Sequence, residues 1–158
     1  MHQEIMIRPA VLDDMEDLVR LRRLMFESMG YTEQAQLDAS DAAARAYFRE
    51  ALPNGIFRGW LAVTPSGEAV GSGGAVVDRH PPGPGNPTGK AGYIMNIVTI
   101  PAYRRQGIAR RMMVTILSWL AGHDVQHVSL HATEMSRPLY CDLGFVDSNE
   151  MRRTMGAP

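Results

Sequence analysis

The stretch "VTIPAYRRQGIARRMMVTIL", Val98 to Leu117, constrains the fold more than any other part of the chain. Its β-branched residues read as a strand, which Pro101 ends because it has no N–H to continue a ladder. Beyond the turn, Ile108, Met112, Ile116 and Leu120 recur at helical spacing, so a helix is expected from about Gln106 to Ala121. Strand must become helix within a few residues. The new helix opens with unsatisfied N–H groups and the positive end of its dipole, flanked by Arg104, Arg105, Arg110 and Arg111. A turn of this kind suits an anion, and a pyrophosphate fits it best. Gly107 lets backbone approach a phosphate with no Cβ in the way, and Ala109 is nearly as small.

Two other phosphate loops are excluded. A Walker-type loop needs G-K-S or G-K-T, which the chain lacks, and a dinucleotide fold needs G-x-G-x-x-G between strand and helix. The nearest match to the latter, "GSGGAVV" from Gly71 to Val77, runs into a proline-rich loop instead of a helix. Taken alone, "RRQG" is also consistent with a solvated helix cap.

Composition narrows the partners. The 158 residues are 45% hydrophobic and 21% charged, enough for one globular domain, and the net charge of −1 argues against nucleic acid. The single cysteine, Cys141, allows neither an internal disulfide nor a cysteine-based metal site, so no metal is expected and a reducing cytoplasm fits. Glu4 and Arg8 interrupt what would be the apolar core of a signal peptide, and the run "MMVTILSWLAG" is too short to cross a bilayer. A cytoplasmic protein without membrane partners is expected.

Element by element, "EIMIRPA" predicts a strand and "LDDMEDLVRLRRLMFESMG" a helix, with Leu18, Leu21, Met25 and Met29 at its spacing and Asp13 and Asp14 at its start. A second helix is expected from Ser40, a natural N-cap, to Pro53. "GIFRGWLAVTPSGEAVGSGGAVVD" predicts an antiparallel hairpin turning near Pro65 to Gly67. The aperiodic segment "RHPPGPGNPTGKAG" is a loop inside the domain, Arg79 to Ala91. The strand "YIMNIVTI", the anion turn and its helix follow, then the strand "VQHVSLHA", a short helix around Met135 to Asp142 and a last strand after Gly144.

"RRQGIA" has the R-x-x-G-x-A form of the pyrophosphate loop of the GCN5-related N-acetyltransferases, the GNAT superfamily, with Arg104, Gly107 and Ala109 at the motif positions. "PLYCDLGF" resembles the family's L-Y-x-x-x-G-F segment near the carboxyl terminus. Two motifs in the family's order, set among elements in the family's order, extend the resemblance over nearly the whole chain. It implies an α/β GNAT fold, with a mixed central sheet, a splayed strand and flanking helices, as a single domain over residues 1–158. It also implies acetyl-CoA as donor and an amine as acceptor. The pyrophosphate would lie on the amides of Arg105, Gln106, Gly107, Ile108, Ala109 and Arg110, and the pantetheine arm along Ile97, Val98 and Thr99. Tyr140, in the tyrosine position, would protonate or hydrogen-bond the departing thiolate. A phenol with pKa about 10 can serve, since the thiol it forms has a pKa of roughly 8.5 to 10. Gly144 and Phe145 read as a turn glycine and a core aromatic.

The chain departs from the family pattern twice. Many members carry a basic glutamate before the pyrophosphate loop, where this chain has Met95 and Asn96, and an asparagine seven residues before the tyrosine, where it has Thr133. His131 and Glu134 are substitute base candidates from "SLHATEM", since an imidazole of pKa about 6.5 is a workable base. Their plainer readings are a strand histidine and a helix-start charge, and Tyr140's is core packing. The segment "SMGYTEQAQLDASDA" is expected to line the acceptor site, where Glu33, Asp38 and Asp41 would favour a cationic amine unless they are merely solvated. A non-catalytic acyl-CoA sensor is the alternative function. Monomer and homodimer both remain open.

Overall fold

The computed structural model describes residues 4–156, so the first three and last two positions of the expected 1–158 domain lie outside the described residues. In chain order the elements are β1 (Met6–Pro9), α1 (Met15–Ser28), α2 (Gln34–Asn54), β2 (Arg58–Val63), β3 (Ala69–Arg79), β4 (Lys90–Thr99), α3 (Ile108–Gly122), β5 (His127–Leu130) and α4 (Arg137–Asp142). The strands form one sheet in the order β1-β2-β3-β4-β5. Pairing is antiparallel from β1 to β4 and parallel between β4 and β5. A parallel pair needs a crossover, and α3 supplies it.

Each face of the sheet carries its own apolar layer. Ile108, Met112, Met113, Ile116 and Leu120 of α3 join Trp60, Ala62 and Ile94 in one. Leu18, Val19 and Leu21 of α1 join Phe48 of α2, Phe57, Leu61 and Val63 in the other. Strand β2 therefore sends alternate residues into both layers, which is why it reads as a continuous apolar run.

β3 holds the layers close. At Gly74 an added Cβ would run into the ring of Phe57, a buried side chain in T-shaped or tilted contact with Tyr47 and Phe48. Gly74→Ala is expected to cost roughly 1–3 kcal/mol as an overpacked core position. Denaturant unfolding checks this, and a fall in midpoint with unchanged slope is the expected result.

Three expectations need correction. α2 begins at Gln34, not Ser40, because its buried face already starts at Leu37 and continues through Ala44, Phe48 and Ala51. Ser40 caps nothing and instead accepts a hydrogen bond from Arg22 Nη1 at 3.1 Å. The helix also includes Pro53 and stops at Asn54, before Gly55 in the left-handed conformation. The short helix starts at Arg137, since Thr133 and Ser136 are engaged with each other in the turn before it. The strand expected after Gly144 is absent among the described residues. There Phe145 packs on the core and Arg137 holds Asp147 at 2.6 Å, while Val146 and Met151 face solvent with no strand beside them.

The start of α1 follows from its sequence. Asp14 accepts both guanidinium nitrogens of Arg8, at 2.8 and 2.9 Å, and the amide of Val11 at 2.8 Å. The Arg8 hydrogen bond holds its carboxyl below the usual aspartate range against the opposing effect of burial. Asp14 thus stabilises the fold above the unfolded aspartate pKa, and loses that contribution as pH falls through its own depressed value.

Candidate active site

β4 is bulged. Val98 pairs with Ser72 and Met95 with Gly74, so Asn96 and Ile97 together face Gly73. Asn96 has φ 58°, and its carbonyl accepts a hydrogen bond from Ser72 Oγ at 3.2 Å. The extra residue resets the alternation of the strand. Ile94 and Ile97 both face the α3 layer, whereas Met95 and Val98 face the layer of α1 and α2.

β4 continues beyond its pairing with β5. Their pairing runs from Ala91–His127 to Ile94–Leu130 and ends there, one residue before Met95. Past that point the β5-facing backbone of Met95 to Thr99 has no strand partner among the described residues. Ile97, Val98 and Thr99 lie on this stretch of β4 beyond the end of β5.

At the end of this stretch the chain turns through Pro101–Tyr103 into α3. Arg104 Nε donates to the carbonyl of Thr99 at 3.0 Å and ties the turn to the strand. Arg105 and Gly107 both have positive φ, 62° and 78°, and flank Gln106 in the turn. Arg104 N bonds back to Pro101 and Arg111 N to the carbonyl of Gly107. Between them, the amides of Arg105, Gln106, Gly107, Ile108, Ala109 and Arg110 have no backbone acceptor among the described residues, and α3 has no side-chain cap. A Cβ added at Gly107 would meet no protein atom within 4 Å. A run of such donors at a helix N-terminus matches the chemistry of a pyrophosphate. Arg111 leaves the group: its Nη2 donates to the carbonyl of Ile5 at 2.7 Å, so its charge serves the β1 edge.

Tyr140 is 7% exposed and lies in the α3 layer, its ring 5.9 Å from that of Phe145. Burial pushes its hydroxyl above the usual pKa of a phenol, and a hydrogen bond from Ser136 acts the other way. Ser136, four residues before Tyr140, also meets Thr133 Oγ1 at 2.9 Å. Thr133 thereby helps hold Ser136 at the start of α4. Nothing in the sequence singles out Ser136 except its i−4 spacing on a helix. Arg110 of the anion turn reaches Asp142 of α4 at 3.0 Å, joining the two motifs across an exposed ion pair. Cys141 is exposed, on a different face of α4 from Tyr140.

The base candidates are less engaged. His131 and Glu134 are exposed on the connector from β5 to α4. His131 Nδ1 lies 3.5 Å from Arg152 Nη2. No hydrogen bond links either residue to Tyr140.

This geometry has close relatives. A sequence profile of the Acetyltransferase (GNAT) family matches residues 17–145. The chain belongs to the GNAT family. Among solved structures, a GCN5-related N-acetyltransferase from Ralstonia eutropha JMP134 is 30% identical, covers 98% of this chain and 100% of its own, and superposes with TM-score 0.87. A predicted acetyltransferase from Clostridium acetobutylicum, solved with acetyl-CoA, is 26% identical over 96% of both chains with TM-score 0.86. An aminoglycoside N-acetyltransferase solved with CoA shares the fold at 18% identity and TM-score 0.76. No curated protein matches the sequence. The matched span includes both motifs and strands β2 to β5. Among the described residues, no helix is long and apolar enough to cross a membrane, and no group of three or more His, Cys, Asp or Glu residues could hold a metal ion.

Proposed function

We propose that the protein transfers the acetyl group of acetyl-CoA directly to the nitrogen of an amine, acting in the cytoplasm as a single GNAT domain. The observation that carries this reading is the continuity of three features: the unbonded amides of residues 105–110, the stretch of β4 beyond its pairing with β5, and the buried phenol of Tyr140. The turn holds the pyrophosphate. Backbone of Ile97 and Val98 on the side away from β3, with Thr99 beside it, pairs with the amides of the pantetheine arm, which sets the thioester beyond the end of β5.

The amine nitrogen attacks the thioester carbonyl and forms the C–N bond. The C–S bond then breaks, and its electron pair leaves on sulfur. Tyr140 gives its proton to that thiolate, and solvent reprotonates the phenolate. The nitrogen loses its own proton to His131 or Glu134, or to water. With its pKa above the phenol range, Tyr140 stays protonated at neutral pH, as a donor must.

Incubating the protein with acetyl-CoA and a panel of polyamines, amino acids and peptides tests the proposal. Amine-dependent release of free CoA is expected, whereas tight acetyl-CoA binding without release from any amine would identify a sensor. The exposed Cys141 has no part in direct transfer. Cys141→Ala should keep activity within about twofold, the margin of a surface substitution. Initial-rate lines for the two substrates should intersect. Parallel lines together with an inactive Cys141→Ala variant would replace direct transfer by an acyl-cysteine route.

A further inference from the structure

Arg22 occupies a position where an apolar residue is expected. Leu18, Val19, Leu21 and Met25 line the buried side of α1, and Arg22 lies between them at the middle of that stripe. It is half-buried. Its Nη1 donates to Ser40 Oγ at 3.1 Å, and its guanidinium carbon stands 4.6 Å above the ring of Phe26. No carboxylate forms an ion pair with it among the described residues.

The neighbouring acids are used elsewhere. Arg23 Nη1 holds Asp38 at 2.8 Å and Asp41 at 2.7 Å, and Arg23 Nη2 holds Gln34 at 2.6 Å. Asp38 and Asp41, expected to face an acceptor amine, are thus both hydrogen-bonded to Arg23 of α1. The contrast extends to acidity. Arg8, Arg23, Arg45 and Arg137, each bonded to a carboxylate, have pKa values raised, whereas burial lowers that of Arg22 against the opposing charge of Asp41.

Around Arg22 the apolar stripe runs out into solvent. Phe26 packs edge-on against Tyr31, which is 53% exposed, and Met29 is 49% exposed. Met25, less than a turn beyond Arg22, packs in the same layer as Met95, the residue before the β4 bulge. α1 itself packs against β4, the strand that carries Met95. A half-buried cation with donors to spare and an aromatic ring beside it has the chemistry of an oxyanion receptor.

We infer that Arg22 binds an anionic group of the acceptor, a carboxylate or phosphate, while Phe26, Met29 and Tyr31 cover the acceptor's apolar part. This rests on the acetyl-transfer reading and narrows it, since the substrate becomes an amine that also carries an oxyanion. Calorimetry on the CoA-saturated protein tests it with N-acetyl-L-phenylalanine, its carboxamide and phenyl phosphate. Saturation with CoA keeps the probes out of the pyrophosphate turn. Wild type should bind one or both anionic probes at least about tenfold more tightly than the carboxamide, and which of them binds separates carboxylate from phosphate. Arg22→Met should erase that preference, keep CoA affinity, and hold or raise the Tm because it removes a charge from an apolar stripe. Equal affinity for all three probes, absence of binding included, or an Arg22→Met variant that keeps the preference would overturn the inference. Loss of CoA binding by wild type itself would instead strike at the acetyl-transfer reading.

Discussion

Gly107→Glu is expected to weaken acetyl-CoA binding by about a hundredfold or more, close to 2.7 kcal/mol. Two effects add. The residue has φ 78°, a conformation that costs a side chain about 1–2 kcal/mol. The new carboxylate would also face the pyrophosphate, where like charges about 4 Å apart repel by as much as 4 kcal/mol near a protein surface. Gly107→Ala separates the two, because its Cβ meets no protein atom within 4 Å and adds no charge. It should lose only about tenfold, the share of backbone strain and of one methyl group near the phosphates. Calorimetry with acetyl-CoA measures both variants. Unchanged affinity in a folded Gly107→Glu protein would remove the anion site from the turn.

The anion turn was legible because everything that shapes it is local. Pro101 ends a strand, Gly107 supplies a positive φ, and Ile108 begins an amphipathic helix, all within a few residues. The bulge at Asn96 was not legible, since it exists only against Gly73 and Ser72 on another strand. Ser40 misled for a similar reason. Serine before a helical run reads as a cap, but the periodic face began earlier at Leu37, and the hydroxyl was taken by Arg22 from a different helix.

Charge was the least legible property. Asp38 and Asp41 look like an acidic attractant in the sequence, and only the packing of α1 on α2 shows that Arg23 takes both. The same packing gives Arg22 no direct ion pair among the described residues and leaves Asp41 acting on it only at a distance, a difference between adjacent arginines that no composition reveals. Tyr140 lies between these cases. Its motif marked the position, but its burial and its contact with Ser136 depend on how α4 docks against α3.

Tyr140→Phe should lower kcat by roughly 10² to 10⁴, the range of a lost general acid, while acetyl-CoA affinity stays nearly constant. Phenylalanine keeps the ring contact with Phe145 and the packing in the α3 layer, so the fold should persist. Only the hydroxyl and its link to Ser136 are removed. The pH profile gives a second readout that packing alone would not move. Because burial raises the Tyr140 pKa, the protonated and active form extends above the usual phenol range, and the alkaline limb of kcat in wild type should lie beyond about pH 10. In Tyr140→Phe that limb should vanish, leaving a slow rate that depends on direct expulsion of the thiolate. Such a variant should also discriminate by leaving group, since an acyl donor whose thiol has a lower pKa needs less help from an acid and should recover part of the lost rate. A Tyr140→Phe enzyme with wild-type kcat and an unaltered alkaline limb would show that the tyrosine only packs, and that another proton source serves the departing sulfur.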